Sequence, residues 1–154
     1  MAAGTVSALE PNQWQLITSV TPSGTSVTFN NFSGYKTIMI VGKGVTKSGS
    51  DYPRVRVNND ATAGNYTTLW SAGGQTGFLC QGAASTAQGF VFRIYDCDKA
   101  IIHKVDTAYD GSGAHAQATD AFVDPVVVTS LVLGTLGGST TYTGGTVYVY
   151  GIAA

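Results

Sequence analysis

Charge is the scarcest commodity in this 154-residue chain: Asp, Glu, Lys and Arg make up 11% of it and the formal net charge is -1. A typical soluble domain carries about 25%. A near-neutral balance provides no basic patch, which excludes an electrostatic case for binding nucleic acid or an anionic membrane. Cysteine is nearly absent, with Cys80 and Cys97 the only two. That excludes a disulfide scaffold, which needs more bridges in a shorter chain, and both cysteines fall in strand-like runs as expected of buried free thiols. Long apolar runs are missing too, with nothing near the roughly 18 residues of a membrane-spanning helix. The opening MAAGTVSALE has neither a basic start nor an apolar stretch, so no secretory signal is expected and the chain is read as made in a cytoplasm.

Helix signals are also scarce. Glu occurs once, while Gly occurs 20 times and β-branched and aromatic residues fill the periodic segments. Gly, Ser and Asn fill the gaps between them. The alternation predicts strands over 14–20, 25–30, 36–45, 54–58, 67–71, 77–81, 88–96, 100–106, 116–123, 126–134 and 146–152. Thr21-Pro22-Ser23-Gly24 is a turn between the first two, with Pro at its first central position. The strand 36–45 is apolar on both sides, Ile38 and Ile40 on one and Met39 and Val41 on the other, which places it centrally in a sheet. Arg54–Asn58 alternates Val inward and Arg outward, the pattern of a half-exposed strand. In 88–96, Phe90, Phe92 and Ile94 share one face, and Cys97-Asp98-Lys99 connects to the next strand as a tight hairpin. Short strands with frequent turn signals predict an all-β fold: an antiparallel β-sandwich of jelly-roll or Greek-key type with about ten strands. The expected organisation is one sandwich domain over 14–154 preceded by an arm or edge segment over 1–13.

Catalytic chemistry finds little to work with. His103 and His115 are the only histidines, too few beside two distant cysteines for a zinc site. Cys97 lies between Asp96 and Asp98, which raise a thiol's pKa and make it a poor nucleophile. No Gly-x-Ser-x-Gly occurs, and Gly42-Lys43-Gly44 lacks the order of a phosphate loop. Several of the eight Asp sit where turns want them. No enzyme, metal or cofactor is expected.

One stretch, RVRVNNDATAGNYT over 54–67, has the look of a site. A calcium loop would need acids at alternating positions and a closing Glu, and Asp60 is the only acid between Asp51 and Asp96. Asn, Asp and Gly tolerate left-handed backbone and bond to their own main chain, so the stretch reads first as strand, loop, strand. The residues expected to meet a partner are the aromatics Tyr66, Trp70 and Tyr109, on the reading that loop aromatics stack on sugars or pack in interfaces.

Four ordered landmarks carry a resemblance: SVTFNNFSGYKTIMIVGKGV over 26–45, RVRVNNDATAGNYTTLW over 54–70, KAIIHKVDTAYDGSG over 99–113 and GGTVYVYGI over 144–152. Together they resemble a family of tailed-bacteriophage virion proteins, in which a serine-rich strand precedes a long apolar strand, a motif like Arg-x-Asn-x-Asp-x-x-x-Asn-Tyr follows, and the chain ends in a strand closing on Tyr-Gly-Ile. Asn59 stands where that motif commonly has glycine, and residues 71–90 match no landmark. The resemblance implies a non-catalytic β-sandwich on the outside of a phage particle. The expected role is a capsid decoration or cement protein, a homo-oligomer, specifically a trimer, contacting the major capsid protein or other virion proteins, with 2–11 as a docking arm. The alternative is a tail-fibre or receptor-binding tip that recognises host surface glycan. The low charge fits either, because interface cores are depleted in charged residues.

Overall fold

A computed structural model describes residues 12–68, 71–80, 85–111 and 114–154. Trp70 and the arm proposed over 2–11 lie outside the described residues. No helix occurs among the described residues. The strands in chain order are β1 (Trp14–Val20), β2 (Ser26–Asn30), β3 (Tyr35–Lys47), β4 (Pro53–Val57), β5 (Tyr66–Thr68), β6 (Ser71–Gln75), β7 (Phe78–Leu79), β8 (Gln88–Tyr95), β9 (Ile101–Gly111), β10 (Ala114–Val126), β11 (Ser130–Thr135) and β12 (Tyr142–Ala153).

They form two antiparallel sheets, the larger in the order β1-β12-β3-β8-β9-β10-β5-β6 and the smaller in the order β2-β11-β4-β7. The chain steps from one sheet to the other at most connections, the exceptions being β5–β6, β8–β9 and β9–β10. The block β1-β12-β3-β8 facing β2-β11-β4-β7 is the strand order of an eight-stranded jelly roll. The hairpins β5–β6 and β9–β10 are inserted in it and extend the larger sheet beyond β8. The all-β sandwich expected from the alternation is thus what forms, with twelve strands among the described residues.

Alternation sends one face of each strand inward. Ile38 and Ile40 of β3, Phe92 and Ile94 of β8, Val147 and Val149 of β12, and Val55 and Val57 of β4 are all fully buried, as are Leu131 and Leu133 of β11. Tyr66, Phe78 and Phe122 form an aromatic cluster between the layers, with ring centroids 5.0 Å apart for Tyr66–Phe78 and 4.9 Å for Tyr66–Phe122. Edge-to-face and tilted pairs of this kind add about 0.5–1.5 kcal/mol beyond area burial. Gly42 is needed where β3 passes β8: a Cβ there would come within 2.4 Å of the Phe90 ring.

Two of the expected strands differ. The run 126–134 is not one strand. β10 ends at Val126, residues 127–129 cross between the sheets, and β11 begins at Ser130. Val128 plugs the interlayer space, fully buried, with its N–H on the Cys97 carbonyl at 2.9 Å. Hydrophobicity there serves a crossing rather than a ladder. The run 67–71 is likewise split between β5 and β6, which pair with each other as a hairpin.

Candidate functional site

The loop that follows β4 is the first place to look for a site, and the side chains of Asn58, Asp60 and Asn65 are spent on the fold. Asn58 and Asn59 both adopt left-handed backbone, with φ of 48° and 57°, a conformation that Asn and Gly supply most readily. The Asn58 side chain donates from Nδ2 to the Val127 carbonyl at 2.8 Å. Its Oδ1 accepts from the Thr129 N–H at 2.8 Å, the Thr129 hydroxyl at 3.1 Å and the Ser130 N–H at 3.1 Å. One side chain therefore fastens the β10–β11 crossing to the end of β4. Asp60 accepts from the Thr62 N–H and the Asn65 amide, both at 2.8 Å. Burial alone would raise the Asp60 carboxyl, but these bonds outweigh it and hold it below its ordinary value.

Of the aromatics expected to meet a partner, Tyr66 is in the core at 2% exposure. Its hydroxyl accepts from the Val57 N–H at 3.0 Å and donates to the Asp60 carbonyl at 2.9 Å, so neither ring face nor hydroxyl is open to a ligand. Tyr109 is also buried, opposite Phe90 in the register, and it borders a cleft of about 540 Å³ shared with Val91 and Gln117. The structure does not bring the two together on one surface loop.

Groups with catalytic potential are equally committed. Both ring nitrogens of the fully buried His103 face carbonyl oxygens, Tyr95 at 3.0 Å and Val126 at 2.6 Å, which leaves no nitrogen for a metal. No set of three or more His, Cys, Asp or Glu residues converges on a metal-sized site among the described residues. Cys80 and Cys97 are free and buried. Burial pushes both thiols up to about 12, and Asp98 and Asp96 push Cys97 the same way. Lys47 is buried, its ammonium donating to the Asp51 carbonyl and, at 3.2 Å, to Gln88 Oε1. Burial lowers it to about 8 against the opposing charge of Asp51.

What remains open is a surface. The outer face of the larger sheet is built from the residues that alternate with the core, and the register sets them in rows. Leu16, Tyr150, Met39, Arg93 and Asp106 follow one another across β1, β12, β3, β8 and β9. Tyr148, Val41, Val91 and Ala108 form the next row, and Trp14 and Ile152 begin the third. Leu16 is 55% exposed and Trp14 40%. Tyr148 and Tyr150 stack at 6.3 Å.

Asp106 and Lys104 pair on this face, whereas Arg93 has no carboxylate within ion-pair distance among the described residues. Asp106 accepts from the Tyr95 hydroxyl at 2.7 Å and the Thr119 hydroxyl at 3.0 Å, and the Lys104 ammonium lies 3.4 Å away. Burial works to raise the Asp106 carboxyl, yet these partners together hold it below its ordinary value. The Arg93 guanidinium sits 5.5 Å from the Trp14 ring centroid, a cation–π distance. The result is an aromatic and apolar face that carries one ion pair and one guanidinium laid over the Trp14 ring, with the low density of charge that interface cores show. The sequence signal for it lay in β3 and β12, which are apolar on both sides although only one side is covered. No protein-family model matches the chain, and no curated protein matches it either.

Proposed function

We propose that the protein is a non-enzymatic bacteriophage virion structural protein, a capsid decoration or cement protein bound to the outer head surface. In this reading it acts as a closed homo-oligomer, a trimer, whose contacts with the major capsid protein or its neighbours clamp the shell. The observation that carries the reading is the aromatic and apolar face of the larger sheet, centred on Trp14, Leu16, Tyr148 and Tyr150. Many modest contacts repeated over a lattice sum to firm retention, because each further contact is made at high effective concentration.

The test is quantitative mass spectrometry of purified particles from the phage that encodes the protein, with particle-binding by the wild type and Leu16→Lys. Leu16 is exposed, so the substitution leaves folding intact. The expected result is hundreds of copies per particle and loss of binding by Leu16→Lys. A few to tens of copies, with binding of the isolated protein to host surface glycan, would replace this reading with that of a tail-fibre tip. Absence from the particle would end both.

A further inference from the structure

On the opposite side of the sandwich, the outer face of the smaller sheet holds a built cationic pocket. Val55 and Val57 point inward, so Arg54 and Arg56 leave β4 on the solvent side, about 7 Å apart along the strand. The register places Arg54 opposite Gly134 on β11, and Gly134 opposite Ser26 on β2. The middle member of that row has no side chain. The gap it leaves is a pocket of about 300 Å³ lined by Arg54, Arg56, Thr25, Ser26 and Asn59.

Both guanidinium groups are held in place. Arg54 Nη1 donates to the Thr76 hydroxyl at 3.0 Å and the Leu136 carbonyl at 3.1 Å, and Arg56 Nε donates to the Thr76 carbonyl at 3.0 Å. The Arg54 stem lies over Gly77, where a Cβ would come within 2.6 Å of it. These bonds use Nη1 of one fork and Nε of the other, leaving Arg54 Nη2 and both Arg56 Nη groups with donors to spare. Among the described residues neither arginine has a carboxylate within ion-pair distance; the ion pairs are Lys99–Asp96 and Lys104–Asp106. Asp51, the acid whose charge Arg54 feels, accepts instead from the Tyr52 N–H at 2.8 Å and the Gly137 N–H at 2.9 Å. Burial first, and then the like charge of Arg56, hold the Arg54 guanidinium below its ordinary value. An anion between the two forks relieves that repulsion and can be gripped by paired N–H groups.

We propose that this pocket binds a small oxyanion on a hydroxyl-bearing frame, an acidic monosaccharide or sugar phosphate, with its carboxylate or phosphate between Arg54 and Arg56 and its hydroxyls against Thr25, Ser26 and Asn59. The volume is that of the smaller ligand sites and leaves room beyond the oxyanion itself. The wall facing the arginines is hydroxyl and amide, which matches sugar hydroxyls. The proposal does not depend on the virion reading, which concerns the other sheet.

The test is an amide chemical-shift titration of the intact protein with glucose 6-phosphate, glucuronate, inorganic phosphate and glucose at fixed ionic strength. Wild type, Arg56→Gln and Gly134→Val are compared. A Cβ at Gly134 makes only ordinary contacts, the nearest at 3.5 Å, so Val fills the pocket while both charges stay. Saturable shifts around Arg54 and Arg56 are expected for glucose 6-phosphate and glucuronate and not for glucose, with affinity falling about tenfold or more in either variant. Equal response to glucose, no saturation, or unchanged titrations in both variants would overturn the pocket. Inorganic phosphate binding as tightly as glucose 6-phosphate would overturn the role given to the hydroxyl wall.

Discussion

Asn58 is the most informative single position in the molecule, because its side chain adds four bonds to the backbone bond from the Asn58 N–H to the Ser130 carbonyl at 2.9 Å, and so ties the β10–β11 crossing to the end of β4. Replacing it with Ala removes four hydrogen bonds, to Val127, Thr129 (twice) and Ser130. Each is worth about 0.5–1.5 kcal/mol, and the half-exposed setting puts them toward the lower figure, so their sum is about 2 kcal/mol. Ala must also occupy the left-handed backbone at φ 48°, which costs about 1 kcal/mol more. The expected loss is about 3 kcal/mol, or a fall in Tm of about 6–12 °C. Asn58→Gly keeps the backbone conformation at no strain and should lose about 2 kcal/mol. Asn58→Asp retains the acceptor for the Thr129 and Ser130 N–H groups and should lose about 1 kcal/mol. Urea denaturation with a common m value gives the three numbers directly. A variant series in which Ala costs under about 1 kcal/mol, or in which Gly and Asp are no better than Ala, would refute the account of this loop as a clamp.

Other substitutions probe the layers around it. Gly42→Ala sets a methyl against the Phe90 ring, where a Cβ would lie at 2.4 Å, and should cost about 1–3 kcal/mol; adding Phe90→Leu should return part of that in the same urea assay, and a neutral Gly42→Ala would contradict the packing. Tyr66→Phe removes the partner of the Val57 N–H and of the Asp60 carbonyl, a loss of about 1–3 kcal/mol, with the far-ultraviolet spectrum unchanged. Stability should also depend on alkaline pH in two phases. Lys47, lowered to about 8 in the fold, sheds its proton there before the unfolded chain does, so stability rises from pH 8 as the unfolded state holds more protons. Cys80 and Cys97, pushed up from 9.0 to about 12 in the fold, keep protons that the unfolded chain releases above pH 9, so stability then falls. Two thiols against one lysine leave a net decline of about 1.4 kcal/mol per pH unit. A urea midpoint that falls steadily from pH 7, or a maximum that does not move upward in a Cys80→Ala/Cys97→Ala protein, would contradict these assignments.

The strands were legible wherever one face was buried and the other met solvent. Trp14–Val20 and Gln88–Tyr95 emerge from alternation almost to the residue, because a period of two has only one structural meaning. Three consecutive valines at 126–128 carry no period, and hydrophobicity alone does not distinguish a strand from a buried crossing. There the decisive bonds come from Asn58, roughly 70 residues earlier in the chain, as separations of 69 to 72 residues record. Tyr66 and Tyr150 look alike in sequence, each a tyrosine in a β-rich segment, yet one points from the inserted hairpin into the core and the other stands on the outer face of the larger sheet. The arginine pocket was invisible for the same reason: Gly134 and Ser26 become neighbours of Arg54 only through the register of β11 and β2. The twofold apolar character of β3 was read as a sign of central position, and β3 does lie between β12 and β8. In an antiparallel sandwich, however, a central strand needs apolar residues on only one face. The Met39–Val41 side is therefore surplus to the fold of the single chain. Together with Tyr148, Tyr150 and Leu16, it is the surface that the proposed assembly would cover.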